Sequence, residues 1–89
     1  MKEELEKIKN EARDGSVLFT DSDKRSVEKI RQNITTHITQ RDRNAVLTDI
    51  LSIEMIKDPG HVCVIDAILD SEGDAWIEKA IVFTNAIGE

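Results

Sequence analysis

Asp70, Glu72 and Asp74 stand at alternate positions around Gly73 in the stretch LDSEGDAWIE, and carboxylates so spaced beside a glycine can hold a hard divalent cation. A calcium loop starting at Asp70 needs glycine at its sixth position and a bidentate glutamate at its twelfth, where this sequence has Ala75 and Ile81. The motif fails on both. The acids read instead as punctuation between two helices, with Asp74 a cap and Glu72 a solvated loop acid. His61, Cys63 and Asp66 offer nitrogen, sulfur and oxygen donors close in sequence, but side chains two residues apart on a helix diverge by roughly 200° and cannot share an ion. His37 is remote in sequence, and nothing nearby places a base beside Cys63 for nucleophilic catalysis. There is no glycine-rich phosphate loop, no Walker pattern and no acid pair suited to proton transfer. No catalytic residue, cofactor site or metal site is expected, and the chain reads as a non-enzyme.

The remaining chemistry is charge. Residues 58 to 89 carry one positive and seven negative charges, whereas residues 1 to 14 and 15 to 57 are close to neutral, so nearly all of the net charge of −6 belongs to the last third. Asp66, Asp70, Glu72 and Asp74 are the candidates for an acidic face that meets a basic partner. The middle of the chain holds Lys24, Arg25, Lys29, Arg31, Arg41 and Arg43, candidates for an anionic ligand such as a nucleotide. Arg25, Lys29, Gln32 and Thr36 recur at i, i+4, i+7 and i+11, a polar row opposite the apolar seam of Val27, Ile30, Ile34 and Ile38; its bland reading is a solvated face that Asp21 and Glu28 partly neutralise. Overall acidity argues against duplex DNA as a partner.

Helices must position these groups. Leu5, Ile8 and Ala12 lie at helical spacing in a charged N-terminal segment that Gly15 ends. Thr20 and Asp23 have capping-box spacing before the next helix, although Asp21 or Ser22 fits the N-cap equally well. Asp42 starts a third helix whose Val46, Leu47, Ile50, Leu51, Ile53, Met55 and Ile56 cover over half its circumference, which predicts a central place in a bundle. Asp58 before Pro59 reads as an N-cap and first-turn proline, and Gly73 sits where a helix ending near Ser71 needs a left-handed residue. Trp76, Ile77, Ala80, Ile81, Phe83, Thr84 and Ile87 fall within an arc of roughly 160° at helical period, and Gly88 closes that helix. The expectation is an all-α bundle of about five short helices in a single domain spanning residues 1 to 89. The alternative is α+β, three helices followed by a C-terminal hairpin over residues 61 to 84, because HVCVIDAIL is rich in β-branched residues.

An 89-residue chain buries only about 60 to 65% of the surface its unfolded form exposes, so its stability margin is small and homo-oligomerisation would help. With 39% hydrophobic and 34% charged residues the composition is that of a folded soluble domain. A single cysteine excludes an internal disulfide, no apolar run approaches a membrane span, and the charged N-terminal segment is unlike a signal peptide; a cytosolic protein is expected.

Asp21-Ser22-Asp23 shares two residues with the serine motif of phosphopantetheine carrier proteins, but Asp23 replaces the motif's leucine, and Ser22 reads better as a capping residue. The segment IEKAIVFTNAIG resembles the terminal helix of small phage proteins that sequester cyclic oligonucleotide signals in oligomers of helical protomers. That resemblance implies stoichiometric ligand capture, with basic residues of helix 22 to 40 as phosphate partners. From the residues themselves the first expectation is a small, acidic, non-catalytic interaction protein that docks on a macromolecular partner, as regulators, immunity proteins and phage inhibitors do. The alternative is a module that binds a small anionic ligand, such as a cyclic nucleotide, through the basic helix.

Overall fold

The computed structural model describes residues 2 to 58 and 61 to 88. They form an all-α bundle of five helices: α1 Lys2–Ser16, α2 Asp21–Thr39, α3 Arg43–Ile56, α4 His61–Leu69 and α5 Ala75–Ile87. No strand occurs among the described residues, so the C-terminal hairpin is set aside. The 3.6-residue period of α5 outweighs the β-branched content of α4, whose Val64 and Ile68 are buried one turn apart on one face.

Local signals set the helix limits. Thr20 is the N-cap of α2, with its hydroxyl accepting from the Asp23 amide at 3.1 Å while the Asp23 carboxylate accepts from the Thr20 amide at 3.0 Å. Asp42 caps α3 by accepting from the Ala45 amide at 3.1 Å. Near the end of α2, Thr35, Thr36 and Thr39 each donate to the carbonyl four residues back. The helix then stops in a Schellman turn: the Arg41 amide donates to the Ile38 carbonyl at 2.9 Å and the Asp42 amide to the His37 carbonyl at 3.0 Å, with Arg41 at φ 55°. Gly73, at φ 56°, supplies the left-handed residue between α4 and α5.

One capping expectation needs correction. Asp74 occupies the N-cap position of α5 but makes no capping bond, since its carboxylate pairs with Arg41 instead. Gly88 closes α5 as its C-cap, as its position predicts, at φ −93°. Pro59, the expected first-turn proline after Asp58, lies outside the described residues.

Packing places α5 at the centre, against α1, α2 and α4, while α2 pairs with α3 and α4 touches both α1 and α3. Ile8 and Ala12 of α1, Val27 and Ile34 of α2, Val46, Ile50 and Ile53 of α3, and Val64 and Ile68 of α4 converge on Trp76, Ala80, Phe83 and Ile87. Each large side chain so buried contributes about 1.5 to 3 kcal/mol relative to exposure. On α5 the buried face includes Ala86 and leaves out Ile81, which is 42% exposed. The widely apolar α3 is not central: it packs chiefly against α2 and α4, and its surplus apolar residues Leu51 and Met55 reach solvent.

Candidate functional site

An open groove of about 810 Å³ lies between α1 and α4. Glu3, Glu4, Lys7 and Glu11 form its α1 wall, and Val62, Cys63, Asp66, Ala67 and Asp70 form its α4 wall, with Asp58 at one end. Lys7 is the only cation among these residues. Glu4 and Glu11 lie seven positions apart on α1, and Asp66 and Asp70 four apart on α4, which stacks each pair on one face.

Beneath this surface Lys79 reaches up from α5. Its ammonium, on a side chain 14% exposed, lies 2.8 Å from Glu4 and donates to the Ala67 carbonyl at 3.1 Å, so α1, α4 and α5 meet at one part-buried cation. Glu4 is thereby compensated. Asp66 and Asp70 are exposed and make no ion pair among the described residues, and Glu3 is likewise exposed and unpaired there. The Cys63 thiol is half-buried against the α1 wall; burial, and then the hydrogen bond and negative charge of Glu11, push its pKa above the ordinary thiol value. That environment suppresses the thiolate.

The four acidic candidates divide. Asp66 and Asp70 join the groove, whereas Glu72 and Asp74 lie beyond it in the α4–α5 turn, with Asp74 2.7 Å from Arg41. Sequence reasoning missed the other wall, Glu3 and Glu11, because α1 and α4 meet only through the tertiary fold.

The cationic candidates do not converge. Arg31 lies along the α2–α5 contact, where its Nε donates to the Thr84 carbonyl at 2.9 Å and its Nη1 meets Glu28 at 2.6 Å. It serves as a C-terminal cap for α5. Arg41 is held by Asp74 at the far end of α2, and Arg43 begins α3. Arg25 and Lys29 project into solvent one turn apart on the face of α2 opposite Val27 and Ile34, and Lys24 sits on the α5-facing edge near Arg31.

His37 and Asp49, remote from the groove, form a polar tie between α2 and α3 with Nδ1 2.6 Å from the carboxylate. No group of three His, Cys, Asp or Glu side chains able to hold a metal ion exists among the described residues. Nor is any helix there long and apolar enough to cross a membrane. No protein-family model matches the sequence, and no curated protein or solved structure is detectably similar to it.

Proposed function

We propose that this chain is a small non-catalytic interaction protein that docks stoichiometrically, through the α1–α4 groove, on a macromolecular partner with a basic surface. The supporting observation is that two helices far apart in sequence place Glu3, Glu11, Asp66 and Asp70 around one open concavity where, among the described lining residues, Lys7 is the only cation. Exposed like charges concentrated in a groove focus the field, attract a cationic partner and repel an anionic one. None of these acids is needed to complete the core. The raised Cys63 pKa also fits binding better than nucleophilic chemistry.

Titration calorimetry with a lysine-rich peptide and a glutamate-rich peptide tests the proposal. Binding of the first alone, weakened by Asp66→Lys with Asp70→Lys, is expected; equal indifference to both peptides contradicts it. The alternative, capture of a small anionic ligand, retains chiefly Arg25, Lys29 and the neighbouring Lys24, because Arg31 and Arg41 are engaged elsewhere. A nucleotide at 100 times its dissociation constant would raise stability by about 2.7 kcal/mol, so a thermal-shift panel separates the two readings.

A further inference from the structure

We propose that the partner presents a cationic amphipathic helix, which lays its apolar side on the outer face of the α3–α4 hairpin and its lysines or arginines toward the acidic groove. This rests on the docking reading above and supplies the partner's chemistry.

The hairpin leaves four large apolar side chains in water: Leu51 at 47% exposure, Met55 at 88%, Val62 at 56% and Leu69 at 52%. Leu51 and Met55 are one turn apart on α3, and Val62 and Leu69 are two turns apart on α4 with half-buried Ile65 between them. Asp49 turns toward α2 to meet His37, so Leu51, roughly 160° away around α3, lies on the side turned away from α2. Cys63 faces Glu11 of α1, which puts Ile65 and Leu69 on the opposite edge of α4, toward α3. Around α4 the order is then Ile65, Leu69, Val62, Asp66, Asp70 and Cys63, over an arc of roughly 160°. The apolar edge runs into the acidic one without a break, and Val62 lines the groove itself.

Single exposed apolar residues are ordinary, but four on one hairpin, rimmed by acids, form a surface that favours an apolar ligand of positive charge. A second copy fits poorly. Pairing two such faces sets Asp66 and Asp70 of each near the acids of the other, and the cationic row of Arg25 and Lys29 continues into Gln32 and Thr36 rather than into apolar residues. An anionic bilayer surface is repelled by the same acids. A helix docked in this mode uses apolar anchors at i, i+3 or i+4 and i+7, spacings that Leu51, Met55, Val62, Ile65 and Leu69 can receive, and the flexible Met55 adapts to their shape.

Three synthetic peptides of equal length discriminate: a lysine/leucine amphipathic helix former, a lysine/serine peptide of the same charge, and an uncharged glutamine/leucine amphipathic helix former. Each is titrated calorimetrically into the chain, into Leu51→Gln with Met55→Gln, and into Asp66→Lys with Asp70→Lys. All four positions are exposed, and melting curves verify that the variants stay folded. The lysine/leucine peptide should bind one to one and lose about tenfold in affinity with either variant, and the other two peptides should bind at least about tenfold more weakly. Equal binding of both lysine peptides, unaffected by the Leu51 and Met55 changes, overturns the amphipathic helix while leaving acidic docking intact. Equal binding of the uncharged amphipathic peptide removes the role of charge, and failure of every cationic peptide overturns both proposals. A dimer in native mass spectra that Leu51→Gln with Met55→Gln dissociates identifies a second copy as the occupant and likewise overturns the inference.

Discussion

Arg41 and Gly73 have almost the same backbone angle and predict opposite responses to substitution. Arg41 holds φ 55° with a Cβ that this region disfavours, and its exposed pair with Asp74 offsets little of that cost. Arg41→Gly should therefore raise stability by about 0.5 to 1 kcal/mol, whereas Gly73→Ala should lower it by about 1 kcal/mol through backbone strain alone, since no atom lies within 4 Å of an added Cβ. Urea unfolding of the two variants reads both signs. At Gly88 the reason differs: a Cβ there meets the Arg31 guanidinium, which must swing away from the Thr84 carbonyl. Two ionisable residues give pH tests. Asp23 has its pKa lowered by the Thr20 backbone amide, helped by the Thr20 hydroxyl and by Lys57 against the opposing effect of burial. A carboxylate held below its unfolded value adds stability above the ordinary Asp range, and the gain is lost as pH falls through the lowered value; Asp23→Asn should flatten that acid limb in thermal melts. For Cys63 the shift runs upward, so its alkylation by iodoacetamide at neutral pH should be slower than that of a free cysteine, and Glu11→Gln should speed it. Alkylation at the free-cysteine rate would show the thiol to be unshielded.

Between elements, stability depends on polar ties that local patterns do not reveal. Asp49, with a side chain only 13% exposed, depends on His37 across the α2–α3 contact. His37→Ala should cost about 1 to 3 kcal/mol by leaving that carboxylate without its partner, measured as a shift in denaturation midpoint. The C-terminal end of α5 is fastened twice: Arg31 donates to Thr84, and the buried Ser16 hydroxyl donates to the Ala12 carbonyl at 2.7 Å with the Ile87 carbonyl at 3.2 Å. What sequence made legible at this scale was whatever rests on neighbours a few residues apart: the Thr20–Asp23 box, the Asp42 cap, the left-handed Gly73 and the helical period of α5. Asp74 was misjudged because its carboxylate had a remote competitor in Arg41. The place of α3 was misjudged because a broad apolar face is compatible with either burial or exposure. Leu51 and Met55 show that exposure prevails over part of it.

For the whole molecule, charge is organised across the fold rather than along the chain. The acidity of the last third was visible in composition, and of the four acids it offered Asp66 and Asp70 line the groove. Their companions Glu3 and Glu11 belong to a nearly neutral segment that only the folded bundle brings alongside. Trp76, at 5% exposure, lies in the core on the central helix α5. Trp76→Ala should cost about 3 to 5 kcal/mol, a large part of the stability of so small a chain, and calorimetric melting checks it. Docking by an acidic surface makes a kinetic claim, because exposed charges steer encounter and salt screens them. Stopped-flow association of a labelled cationic peptide, from low to high ionic strength, with the unaltered chain and with Asp66→Lys plus Asp70→Lys, is the most direct measurement. The rate should fall steeply with salt for the former and stay low and nearly flat for the latter; a rate indifferent to both salt and substitution would contradict the account.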